Sequence, residues 1–130
     1  MKKTSFIIQL FAALILLLFG SVNAFAGTLV IDVPDESEPT TETVTYQCDM
    51  GTRKENFEAT YHNAGNIALV DLKWEGKRII GANVISASGA KYVGGPYVWW
   101  TKRNEAMFYD LLNDPKEEHP ILCVEKQETE

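Results

Sequence analysis

Histidine and cysteine are scarce in this 130-residue chain, with two of each. Cys48, Cys123, His62 and His119 are too few and too dispersed for a four-ligand metal site, so no metal is expected. The same scarcity argues against catalysis. His62 is expected in a turn, His119 stands just before Pro120, and no nucleophile elbow accompanies either. The carboxylates form no recognisable acid–base pair. Gly94-Gly95-Pro96 lacks the lysine and helix of a phosphate loop. Neither an enzyme nor a cofactor is expected. Basic residues are outnumbered, 12 against 18 acidic, for a net charge of −6. That balance argues against nucleic acid or an anionic membrane surface as a partner. There is no Asn-x-Ser/Thr sequon. No segment keeps a 3.6-residue period over twelve positions, so no long amphipathic helix is expected.

Long apolar runs are missing too, with one short exception. Residues 6–19 are apolar apart from Gln9, well short of the ~20 residues needed to span a bilayer. Lys2 and Lys3 precede the run, and Ala24-Phe25-Ala26-Gly27 follows it. Charge, apolar stretch and small residues in this order form a secretory signal, with cleavage expected between Ala26 and Gly27. The first cysteine after the run is Cys48, too distant for lipid attachment, so no membrane anchor is expected after cleavage. Removing residues 1–26 takes Lys2 and Lys3 with it. It leaves 10 basic against 18 acidic residues, a charge of −8. A cationic partner is compatible with that balance, as is simple solubility.

Export also sets the redox compartment. Two cysteines in an oxidising space read as one disulfide, Cys48–Cys123. Closing a loop of that length is worth about 4 kcal/mol, a large share of the ~5–15 kcal/mol that holds a domain of this size together.

Residues 27–43 are acidic, contain proline and are poor in large apolar side chains, and read as a flexible leader. Residues 29–33 have the composition of an edge strand that Pro34 would stop. Residues 126–130 read as a polar tail. The folded domain is expected over 44–125. There Val44, Tyr46 and Cys48 alternate with polar neighbours, as do Phe57, Ala59 and Tyr61, the period of a half-buried strand. Ile67, Leu69 and Asp71 oppose Ala68, Val70 and Leu72 in a third, more apolar strand. Turn signals recur every 8–12 residues, at Gly51, residues 63–66, Gly76, Gly89, residues 94–96 and Asn104. This is an all-β pattern, and an antiparallel barrel is favoured because closure removes sheet edges.

Chemistry concentrates in residues 86–102. Gly89 permits a positive φ or a close approach, Ser88 offers a hydroxyl at a loop tip, and Lys102 a cation at the end of an aromatic strand. Trp99 and Trp100 must face opposite sides of that strand, one in the core and the other half-covered or in a contact patch.

Val44-x-Tyr46-x-Cys48-x-x-Gly51, Ser88-Gly89-Ala90-x-Tyr92, Trp99-Trp100-Thr101-Lys102-x-x-Glu105-Ala106 and Cys123 together resemble the MliC/PliC family of bacterial inhibitors of c-type lysozyme. The resemblance covers residues 44–124. It implies an eight-stranded antiparallel barrel closed by one disulfide, a c-type lysozyme as the protein partner, and two loops that enter its cleft. Carried over, the binding residues are Ser88, Gly89, Ala90, Lys91, Tyr92, Lys102 and Arg103, with Tyr92 a supporting or rim residue. A signal without a lipid-attachment cysteine resembles the periplasmic branch. Monomer and homodimer are equally compatible. Lys91 stands where many members have arginine. Arg103 stands where glycine is frequent, so the turn is expected to take its left-handed residue from Asn104. A competing expectation is a periplasmic barrel that binds a small ligand between Tyr97, Trp99 and Trp100. A cell-envelope hydrolase is remote.

Overall fold

The computed structural model describes residues 26–33 and 37–127. Of the expected signal segment, residues 1–26, residues 1–25 lie outside the described residues. Residues 26–33 form neither helix nor strand, so the edge strand considered for 29–33 is not formed.

Eight strands follow: β1 (Thr40–Asp49), β2 (Lys54–Ala64), β3 (Ile67–Trp74), β4 (Lys77–Val84), β5 (Ala90–Gly94), β6 (Tyr97–Lys102), β7 (Glu105–Asp110) and β8 (Ile121–Glu125). Each pairs antiparallel with the next, and β8 returns to β1, giving a closed up-and-down barrel. Closure satisfies every sheet edge internally. Cys48 and Cys123 face each other across the β1–β8 seam and are bonded, so the disulfide clasps the place where the first strand meets the last.

Two boundaries differ from the pattern-based expectation. β1 begins at Thr40 rather than Val44, because residues 40–43 pair with residues 60–63 of β2. A long hairpin arm supplies backbone partners that a polar composition does not advertise. For the same reason His62 lies within β2, not in a turn, with its Nδ1 3.3 Å from the Thr41 hydroxyl.

Alternation fills the barrel with its own side chains. Tyr46, Cys48, Phe57, Ala59, Val70, Leu72, Ile79, Tyr92, Trp99, Ala106, Phe108 and Cys123 form one continuous core. Aromatic rings dominate it. Tyr97 stacks on Phe108 at 5.6 Å, Phe57 on Trp74 at 5.4 Å, and Tyr46 meets Trp99 edge-on at 5.1 Å. Such contacts add about 0.5–1.5 kcal/mol each beyond area burial. The indole N–H of Trp99 donates to the Tyr61 hydroxyl (2.9 Å), which is 2.8 Å from the Tyr46 hydroxyl. Burial raises both phenols above their ordinary pKa, so both remain neutral hydrogen-bonding groups. Trp99 is buried inside while Trp100 faces out. The two therefore do not line a common ligand pocket, against the small-ligand expectation.

Successive strands run in opposite directions, so the barrel has two rims. The β2–β3, β4–β5 and β6–β7 connections share one rim; the β1–β2, β3–β4, β5–β6 and β7–β8 connections share the other.

Candidate functional site

The first of these rims brings together the residues singled out above. Residues 85–89 join β4 to β5, and Arg103-Asn104 join β6 to β7. β5 pairs with β6, with Ala90 opposite Thr101 and Lys91 opposite Trp100, so the two connections stand side by side. Their contact is tight. Gly89 has φ +66°, and a Cβ there would overlap the Thr101 carbonyl oxygen and stand 2.8 Å from Lys102 Cγ. Only glycine fits such a conformation at such a contact. Below it, the Thr101 hydroxyl donates to the Ala90 carbonyl at 3.3 Å.

The loop is held from two directions. The Ser86 hydroxyl is within reach of the Ser88 carbonyl (3.1 Å) and the Gly89 carbonyl (3.2 Å). The Trp100 indole N–H donates to the Ser88 carbonyl at 2.8 Å. With its main chain held in this way, the Ser88 side chain is exposed at the rim.

Three cations gather beside it. Lys102 Nζ lies 4.7 Å from the Trp100 ring centroid and Lys91 Nζ 5.0 Å, both in cation–π range. Arg103 is exposed at the tip of the turn. Among the described residues the ion pairs are Arg53–Glu55 and Arg78–Asp71; the heads of Lys91, Lys102 and Arg103 are in neither. Positive charge is thus concentrated and uncommitted on one edge of an acidic protein.

Arg103 corrects the turn expectation. It adopts φ +55° itself, while Asn104 does not have a positive φ. The Asn104 carbonyl instead accepts the Glu125 N–H at 2.7 Å. That tie to β8 holds Asn104 and leaves the left-handed position to the preceding residue. Tyr92 is buried against Tyr61 in the barrel interior, beneath the rim rather than on it.

Two site residues escaped sequence reasoning. Ile85 heads the loop fully exposed; its position at the end of β4 was its only signal. Trp100 was one of two candidates for the outer face, and only the register with Lys91 shows what it touches. Trp100 continues across the outer wall to Met107 and then Leu122, so an apolar strip adjoins the cations. The histidines stay apart from this region. His119 caps the β7–β8 connection, where its backbone N–H donates to Asp114 Oδ2 at 2.8 Å.

With this geometry, comparison with known proteins is decisive. Residues 46–117 match the family described as MliC, membrane-bound lysozyme-inhibitor of c-type lysozyme. The chain belongs to the MliC family. A membrane-bound lysozyme inhibitor of C-type lysozyme from Pseudomonas aeruginosa is 30% identical over 131 residues, covering 97% of this chain and all of that protein. A protein of the same description from Cupriavidus necator is 36% identical over 74 residues, 57% of either chain. The crystal structure of Pseudomonas aeruginosa MliC in complex with hen egg white lysozyme superposes with a TM-score of 0.62 at 33% identity. It covers 78% of this chain and 99% of that one. MliC family members are described as inhibitors, not enzymes, and the relatives are named as membrane-bound.

Proposed function

We propose that this protein inhibits c-type lysozyme by placing Lys102 and Ser88 in the enzyme's catalytic cleft, and that it does so in the periplasm after cleavage between Ala26 and Gly27. The observation that carries the reading is the contact of Gly89 with Thr101 and Lys102. It makes one continuous edge out of two loops.

The chemistry follows from what such a groove contains. A glycosidase of the lysozyme type uses one protonated and one ionised carboxyl group. An ammonium between them pairs with the ionised group and favours loss of the proton from the other. The enzyme then lacks its proton donor, and the loops exclude substrate. Ser88 supplies a hydroxyl that can donate to the same carboxyl group. Lys91 and Arg103 add positive charge at the margin, Ala90 fixes the loop through its carbonyl, and Tyr92 supports it from below. The net charge of −8 on the mature chain as a whole draws in a cationic enzyme and speeds encounter, an effect that salt weakens. Both cysteines are committed to the disulfide, which supports a secreted form over a lipid-anchored one.

Titrating a c-type lysozyme with the mature protein in a cell-wall lysis assay, at low and high salt, tests the proposal. Lysis should fall with dose, with a modest salt effect. Lys102→Ala should weaken inhibition about 30-fold or more, as expected for truncating a buried charge partner. Ser88→Ala should weaken it about three- to tenfold. Inhibition unchanged in both variants would refute the site, and no inhibition by the wild-type protein would refute the function.

A further inference from the structure

We propose that Trp100 is the positioning residue of this site: a single indole holds the Ser88 loop through its N–H and Lys102 through its ring. The proposal rests on the reading that Ser88 and Lys102 engage lysozyme.

Placement comes from the strand. Trp99 points into the core, so Trp100 must point outward, and Lys102, two residues on, shares its face. Register sets Lys91 of β5 directly across from it. The ring therefore has a cation along its own strand and another on the neighbouring strand. The indole N–H is a donor with no acceptor role, and it is spent on the Ser88 carbonyl at 2.8 Å. Ser86 reaches that carbonyl from within the loop, but only Trp100 reaches it from the strand that bears Lys102. One rigid side chain thus joins the loop that presents Ser88 to the residue that presents the ammonium.

The arrangement also prepares the cations for an acidic target. A lysine has four rotatable bonds, and resting on a ring face limits them before any partner arrives. Lys91 and Lys102 share one ring, so their ammonium groups stand no more than about 10 Å apart, within about one screening length at 0.1 M salt. Like charges held this close repel, and a carboxylate-bearing groove relieves the repulsion. Trp100 is therefore more than cover for the barrel wall: it sets the spacing of two cations and the height of the Ser88 loop together.

Trp100→Phe keeps an aromatic face and removes the donor; Trp100→Leu removes both. Backbone 15N order parameters of Ser88 and Gly89 in the free protein read the loop without lysozyme. In Trp100→Phe they should fall from the rigid range of about 0.85 toward about 0.6, and inhibition should weaken about three- to tenfold. Trp100→Leu should lose a further two- to fivefold. Loss of bulk packing alone would lower the melting temperature without loosening these two residues selectively. Unchanged order parameters in Trp100→Phe overturn the proposal. So does wild-type inhibition by both Trp100 variants when Lys102→Ala is weakened. If Lys102→Ala and Ser88→Ala both inhibit fully, the lysozyme-site reading fails, and the order parameters still decide whether Trp100 holds the loop. If Trp100→Leu does not fold, Trp100→Phe carries the test.

Discussion

Replacing Gly89 by alanine separates the cost of an unusual backbone from the cost of pushing two loops apart. Gly89 has φ +66°, which costs an alanine about 1–2 kcal/mol. A stiffer unfolded chain returns about 0.4–1 kcal/mol of that. Gly76, on the opposite rim, has φ +76° and nothing within 4 Å of a built Cβ, and is not followed by proline, so Gly76→Ala meets these backbone terms and no others. Gly89→Ala meets them and also overlaps the Thr101 carbonyl, part of a paired strand that cannot swing aside. Overpacking of that kind costs about 1–3 kcal/mol more. At about 4–8 °C per kcal/mol for a domain of this size, Gly76→Ala should melt no more than roughly 13 °C below wild type. Gly89→Ala should melt roughly 4–24 °C below Gly76→Ala. Thermal melts of the two variants and of wild type measure this. Lysis assays run below all three transitions measure the second consequence. Gly76→Ala should inhibit lysozyme fully, while Gly89→Ala should lose about tenfold or more because Ser88 and Lys102 no longer share one edge. If the two variants melt together and both inhibit fully, the loops are not in the contact that the reasoning requires.

Asp114 organises the β7–β8 connection by accepting backbone N–H groups from His119 and Glu118, and these bonds lower its carboxyl pKa. A carboxyl group whose folded pKa is depressed stabilises above its ordinary value of about 3.9 and loses that contribution as pH falls through the folded value. Asp114→Asn should therefore melt below wild type at neutral pH, and the two melting curves should converge as the pH is lowered beneath about 4. Arg103→Gly should raise the melting temperature by a few degrees, because it releases about 1 kcal/mol of left-handed strain. Asn104→Gly should lower it, since Asn104 has no such strain to release; the reverse ranking in thermal melts would place the left-handed residue at Asn104.

Much of the barrel was legible because alternation and burial agree along its strands. Tyr46 with Cys48 and Phe57 with Ala59 show a period of two in the sequence and line the core in the structure, whereas both faces of 67–72 are apolar in the sequence and only the structure shows that Val70 and Leu72 face inward. The paired cysteines were readable from export and parity, and they close the sheet. Thr40–Thr43 and His62 were misplaced for a shared reason. Their strand character comes from pairing with each other's segment, a long-range fact that local composition does not contain. The Arg103 conformation was missed because the hydrogen bond that holds Asn104 comes from β8, distant in sequence. Ser88 and Lys102 were singled out as candidates from the loop sequence and the resemblance, whereas Trp100 needed the register: which residues meet across a strand pair cannot be read from either strand alone.

Alternating strand direction has a practical consequence for handling this protein. The chain enters the sheet at Thr40 and leaves it at Glu125 on the same edge that carries Ser88 and Lys102. A dye or surface linkage placed directly beside Thr40 or Glu125 would crowd that edge. Attachment through the far edge, at the Gly51 or Gly95 connection, leaves it unobstructed.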